Sequence, residues 1–198
     1  MDRPLTDAIV DAISADDPTA VDRLIEQCVD ISDRFGGQTL LGWAAMYRHA
    51  RLAKRLILAG ASVSDGAGEH LTALAQASFK GADEIVSLLL EAGADPNDAD
   101  DDGLTPLMMA AKEGRVSIMH ELLKRGADPK QRDALGRNAL SWAVAWADHA
   151  EVVTILLDAG ARPDELDQLG FTPLDRAVRM GYVNAARVMR GHEADPAE

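Results

Sequence analysis

The feature that most limits what this chain can fold into is a marker that returns every 33 or 34 residues. Thr39-Leu40-Leu41, Thr72-Ala73-Leu74, Thr105-Pro106-Leu107, Asn138-Ala139-Leu140 and Thr172-Pro173-Leu174 begin at successive intervals of 33, 33, 33 and 34 residues. A second marker keeps the same phase: Ala59-Gly60-Ala61, Ala92-Gly93-Ala94, Arg125-Gly126-Ala127 and Ala159-Gly160-Ala161, spaced 33, 33 and 34. Two markers sharing one period predict an array of like units. A unit of that length cannot bury its own apolar face, so neighbours must stack to make a continuous core.

Each unit reads as helix, turn, helix. In the third, a short apolar stretch, Met108-Met109-Ala110-Ala111, is followed by the turn Lys112-Glu113-Gly114 and a second stretch from Val116 to Leu123. Thr or Asn can N-cap the first helix by accepting from an orphan backbone N–H, and Pro106 or Pro173 then falls where no N–H is needed. Gly60, Gly93, Gly126 and Gly160 stand just past the second stretch, where a left-handed residue closes a helix. Gly37, Gly103, Gly136 and Gly170, each two residues before a capping residue, mark hairpin-like turns between units, with His70 as the exception. The 34-residue interval is predicted to place one extra residue within Trp146-Ala147-Asp148-His149, a loop, because loops absorb insertions more cheaply than packed helices.

Composition agrees with close-packed helices. Apolar residues make up 47% of the 198 while aromatics are only 4%, so aliphatic side chains must fill the core. The formal charge of −13, from 33 acidic and 20 basic residues, repels phosphate backbones and anionic lipid, so neither nucleic acid nor a membrane is an expected partner. One cysteine, Cys28, can form no internal disulfide, and no pattern of thiols suggests zinc. The start of the chain, Met1 to Asp7, is too polar for a signal peptide, and no apolar run nears the ~18 residues that span a bilayer. A cytoplasmic monomer is expected.

These units resemble the ankyrin repeat, whose pattern runs D-x-x-G-x-T-P-L-H-x-A-A and closes with L-L-x-x-G-A-D. Asp100-Asp101-Asp102-Gly103-Leu104-Thr105-Pro106-Leu107-Met108-Met109-Ala110-Ala111, continuing to Leu122-Leu123-Lys124-Arg125-Gly126-Ala127-Asp128, carries the resemblance best. It implies an all-α solenoid of stacked helix-turn-helix units joined by hairpin-like turns. The expected organisation is one domain: a degenerate N-terminal cap at 5–33, repeats at 34–66, 67–99, 100–132, 133–166 and 167–195, and a tail at 196–198. In the cap, Ile9 to Ile13 and Val21 to Ile25 would be the helices, with Cys28 near the place of the closing glycine. The chain also departs from the pattern. Gly42, Ala75, Met108, Ser141 and Asp175 stand where the family has His, and Glu193 stands where the last closing glycine belongs, so that end is expected to fray.

Several stretches imitate sites of chemistry. Asp98 to Gly103 opens like an EF-hand loop, but its twelfth position falls on Met109, which offers no carboxylate. The acidic turn is expected to be solvated or paired with Lys130, Arg132 and Arg137 of the next turn. His120-Glu121-Leu122-Leu123-Lys124 begins like a zinc-protease helix and lacks the second His. His49, His70, His120, His149 and His192 are read at different positions of their units, so stacking would not gather them around a metal. Cys28 has no adjacent base to activate it, and Gly66 to Leu71 lacks the glycines and preceding strand of a phosphate loop. No catalytic residue, cofactor or metal is expected.

Function is then expected in what the stack displays. In ankyrin proteins, contacts come from a concave face: the residue before the capping Thr and the two after the A-A pair. By resemblance these are Gln38, Met46 and Tyr47; Leu71, Phe79 and Lys80; Leu104, Lys112 and Glu113; Arg137, Ala145 and Trp146; Phe171, Arg179 and Met180. Tyr47, Leu71, Phe79, Leu104, Trp146 and Phe171 are apolar or aromatic at places a solvated face would make polar, and are the candidate partner-binding residues. Trp43 and Trp142 are assigned to the core, and Lys112 to the free surface. The resulting expectation is a non-catalytic scaffold that binds another protein. The alternative is a regulator or subunit of an enzyme, or an enzyme with an unrecognised site, which would need a deep pocket of converging titratable groups.

Overall fold

The computed structural model describes residues 32, 34–35, 37–64 and 71–193, so the predicted cap at 5–33 (save residue 32), Cys28, His70 and the tail lie outside the described residues. The described chain opens with β1 (Arg34–Phe35) and β2 (Gln38–Thr39), an antiparallel hairpin pairing Arg34 with Thr39 and Phe35 with Gln38. Five helix pairs follow: α1 (Leu40–Met46) and α2 (Ala50–Leu58), α3 (Ala73–Lys80) and α4 (Asp83–Glu91), α5 (Pro106–Lys112) and α6 (Val116–Lys124), α7 (Ala139–Ala143) and α8 (Ala150–Asp158), α9 (Pro173–Met180) and α10 (Val183–Glu193). Each predicted capping residue does what its chemistry allows. Thr39, Thr72, Thr105, Asn138 and Thr172 accept at the side chain from the N–H of Gly42, Ala75, Met108, Ser141 and Asp175, three residues on. Those five donors belong to the residues that replace the family's His. Ser141 and Asp175 also bond back to their caps: the Ser141 hydroxyl donates to Asn138 Oδ1, and Asp175 Oδ2 accepts from the Thr172 N–H at 3.0 Å, completing a capping box.

The helices stack in two rows. First helices pack on first helices, α1 on α3, α3 on α5 and α5 on α7, and second helices on second, α2 on α4, α4 on α6 and α8 on α10. The buried residues follow the repeat. Leu41, Leu74, Leu107 and Leu140 hold one register in the first row, and Leu56, Leu89, Leu122, Leu156 and Met189 hold one in the second. Ala44, Ala77, Ala110 and Ala143 are wholly buried in the first row, and these small side chains let its helices approach closely. Burying one Leu is worth about 1.5–3 kcal/mol, so a register that recurs in every unit supplies the driving force at every joint.

The inserted residue is absorbed between the two helices of the fourth unit, in the loop from Val144 to His149, and α8 runs through Val152 to Leu157 without a break. The cost falls on α7, which has five residues where α5 has seven. At the other end, α10 has no closing glycine and continues to Glu193, eleven residues against nine in α4, α6 and α8.

The turns between units are held by buried carboxylates. Asp133 Oδ1 accepts from the N–H of Leu135 and of Arg137 at 2.9 and 2.8 Å, while its Oδ2 accepts from Arg137 Nε at 2.7 Å and Trp142 Nε1 at 3.1 Å. Asp167 repeats the motif one unit on, taking the Leu169 and Phe171 N–H groups and the Arg176 guanidinium. Asp100 Oδ1 accepts from the Asp102 and Leu104 N–H groups. Of the two outcomes the sequence left open for the acidic turn, pairing with cations of the next turn is not the one found: Asp100 binds its own backbone donors, Asp101 and Asp102 are exposed, Arg137 serves Asp133 of its own turn, and Arg132 donates to the carbonyls of Gly136 and Leu166. An amide two or four residues away is always within reach, whereas a cation must be ordered to arrive. Neighbouring turns meet closely. A Cβ on Gly103 would come within 2.9 Å of Asp133 Cα, and its φ of +75° is one that L side chains rarely adopt.

The closing glycines have φ between 91° and 93°. Gly126 has no neighbour within 4 Å of where a Cβ would stand, so a larger residue there meets backbone strain rather than a clash. Gly126→Val is expected to destabilise the fold by about 1–2 kcal/mol or more, while Lys124→Ala, on the exposed side of the same turn, leaves it within about 0.5 kcal/mol. Thermal denaturation of the two variants beside the parent checks this.

Candidate functional site

The predicted contact residues occupy the first-helix row and the turns that lead into it. Trp146 stands in the lengthened loop after α7 and is 69% exposed; Tyr47, after α1, is 37% exposed. Leu71, Phe79 and Leu104 are half-buried and pack against the core, and Phe171 is half-buried before the Thr172 cap. Trp142 is buried, as the sequence placed it. Trp43 is only half-buried, its Nε1 donating to the Phe35 carbonyl at 2.8 Å and its ring stacked on Tyr47 at 6.0 Å. Tyr47 stacks in turn on His49, 6.2 Å between centroids.

What sequence reasoning missed is that cations lie over these rings. Lys112 Nζ is 5.1 Å from the Phe79 centroid, 5.4 Å from that of Trp142 and 5.6 Å from that of Trp146. Three rings from the two units that flank its own thus surround one ammonium, and Lys112 is not the free surface group its register suggested, because stacking brings the rings of both neighbours to it. Lys80 Nζ lies 5.3 Å from Phe79, the Arg137 guanidinium 4.1 Å from Trp142, and Arg179 4.5 Å from Phe171. Such contacts are worth about 0.5–1 kcal/mol each where exposed. The available signal was the spacing itself: Lys80, Lys112, Arg137 and Arg179 all fall in the set of contact positions, beside an aromatic residue of the same or the next unit.

Two of these units anchor their cation against a turn carboxylate. Arg137 pairs with Asp133, and Arg176, over Phe171 at 5.9 Å, pairs with Asp167. Burial alone would push Asp167 up, but the Arg176 hydrogen bonds and the Phe171 and Leu169 amides hold its carboxyl below the ordinary value of 3.8. Asp100 goes the other way: burial and the charges of Asp102 and Asp101 outweigh the Leu104 and Asp102 amides and raise it.

The imitations of metal chemistry resolve into structure. Met109, at the twelfth place of the EF-like stretch, is buried in α5, and the Asp100 carboxylate faces its own turn. His49 and His149 do share a position, contrary to the sequence assignment, each being the residue before a second helix; the inserted residue had hidden the match. They stand three units apart. Among the described residues, no group of three or more His, Cys, Asp and Glu is arranged to hold a metal ion, and no helix is long and apolar enough to cross a membrane.

Five capped helix pairs, closing left-handed glycines and carboxylate-held turns thus recur in one period among the described residues. The family model described as ankyrin repeats (3 copies) matches residues 9–100, 61–133 and 107–198. The chain belongs to the ankyrin-repeat family. Ankyrin repeats are in general modules of protein–protein interaction. No curated protein matches the chain.

The pKa directions set the pH response. Asp167 binds its proton less readily folded than unfolded, so its stabilisation is complete above the ordinary carboxylate value of 3.8 and is lost as pH falls through its lower folded value. Asp100 contributes with the opposite sign, its charge costing stability near neutrality and its protonation relieving that cost as pH falls towards 3.8. Urea denaturation at a series of pH values is expected to show a steep loss of stability below about pH 4 in the parent, with a shallower acid limb in Asp167→Asn.

Proposed function

We propose that this protein is a non-catalytic scaffold that binds a partner protein through its inner face, the side shared by the first helices and the turns, with Tyr47, Leu71, Phe79, Leu104, Trp146 and Phe171 as contacts. The same proposal takes the chain as a monomeric cytoplasmic domain whose units are a cap at 5–33 and repeats at 34–66, 67–99, 100–132, 133–166 and 167–195. The observation that carries it is Trp146, an indole 69% exposed at the edge of a rigid stack, two units from Phe79 with Lys112 between them. The core does not need that side chain. A large exposed aromatic on an ordered frame offers contact area at little cost in ordering entropy. Family membership supports the interaction role, and the cations of the face, Lys80, Lys112, Arg137 and Arg179, are engaged with rings and, for Arg137, with a turn carboxylate.

A pull-down with the full chain as bait identifies the partner, and variants place the contact. Trp146→Ala and Phe79→Ala are expected to weaken capture by about 2 kcal/mol or more with circular dichroism unchanged, while Glu113→Ala alters the association rate more than the affinity. Unchanged capture by both aromatic variants moves the contact to the outer helices or the turn tips.

A further inference from the structure

On the reading that the inner face docks a partner, we infer that it takes an acidic polypeptide segment whose carboxylates recur about every three residues and are interrupted by an apolar side chain. The chain as a whole is strongly acidic, with 33 carboxylates to 20 cations. The inner face reverses that sign. Its contact positions carry Lys80, Lys112, Arg137 and Arg179 against the single carboxylate Glu113. Arg137 is neutralised by Asp133 within its own turn. Lys80, Lys112 and Arg179 make no salt bridge to a described residue, although Asp175, one helical turn before Arg179, feels its charge. Three cations therefore remain for a partner, in the second, third and fifth units, each held over an aromatic ring rather than loose in water.

Those rings decide between kinds of polyanion. A single-stranded nucleic acid binds such a surface by stacking bases on open aromatic faces. Here Lys112 covers a face of Phe79, Trp142 and Trp146, and Arg179 covers one of Phe171. A uniformly charged backbone crossing the units would also run beside the aspartates of the turns, Asp100, Asp101 and Asp102 among them. A peptide can place its carboxylates only where the cations are, and set an apolar residue against Trp146. Packed helices stand about 8–10 Å apart and an extended peptide advances about 3.3 Å per residue, so one unit corresponds to about three residues of the segment. Carboxylates at Lys80 and Lys112 are then about three residues apart, the apolar residue at Trp146 follows after about three more, and a carboxylate at Arg179 after another three.

The test is selection from random peptides of about 16 residues displayed on phage, long enough to cross the face at about 3.3 Å per residue, against the immobilised full chain. Selected peptides are expected to be rich in Asp and Glu at that spacing, to weaken as sodium chloride rises from about 0.05 to 0.5 M, and to bind Lys112→Glu about tenfold less tightly or worse. Lys124→Glu, on an exposed site of α6, makes the same change in net charge and is expected to leave binding within about twofold. Peptides that bind but are neutral or basic overturn the acidic partner and leave the docking face standing, as does tighter binding of an oligouridylate of similar length. Equal losses in Lys112→Glu and Lys124→Glu overturn it too, because the effect is then that of net charge alone. Acidic peptides that bind Trp146→Ala and Phe79→Ala as well as the parent, and are lost only with changes on the outer helices, overturn both the inner-face reading and this one.

Discussion

Everything in this molecule depends on burial between adjacent units. No helix pair here has enough apolar surface to close a core on itself, and the wholly buried alanines of the first row, with Leu56, Leu89, Leu122, Leu156 and Met189 in the second, are covered only because another unit lies beside them. Stability is accordingly a sum of joints, and each joint can differ. The one beside α7 does. The inserted residue shortens that helix, so α9 has less of the first row to lie against, and the outer helices α8 and α10 carry more of the contact. The Asp148 carboxylate reinforces it by accepting from the Asn184 and Ala185 N–H groups at the start of α10.

The second requirement is that the turns keep register while they carry no core. Asp133 and Asp167 meet it with one carboxylate each, binding two backbone amides and one cationic side chain, so the turn is shaped from within. Adjacent turns then need only a few bonds to join, such as Ala134 N–H to the Asp102 carbonyl at 2.7 Å and Gln168 N–H to the Leu135 carbonyl at 2.9 Å. This explains why an acidic residue at that place is structural even in a chain with a large surplus of negative charge.

The inner face follows from the same stacking. Side chains that sit one unit apart in sequence are neighbours in space, so a lysine from one unit meets rings from the units on both sides. Lys112 is fixed by Phe79 before it and by Trp142 and Trp146 after it, a grouping whose outermost members, Phe79 and Trp146, are 67 positions apart in sequence and that no unit contains alone.

The sequence by itself determined the period, the helix starts at Thr39, Thr72, Thr105, Asn138 and Thr172, the left-handed stops at Gly60, Gly93, Gly126 and Gly160, and the family. These depend on local chemistry, a hydroxyl or amide reaching three residues on, or a backbone angle that only glycine accepts readily, and local chemistry is written in consecutive residues. The tertiary structure decided the rest. It paired Arg137 with Asp133 instead of leaving Asp100 to seek a cation, made His49 and His149 equivalent, drew Trp43 half out of the core, and turned Lys112 from a surface lysine into the centre of three rings. Each of those outcomes depends on which residues of neighbouring units come within a few ångströms of one another, a distance set by the packing of whole helices and by one inserted residue, and not by any stretch of sequence read alone.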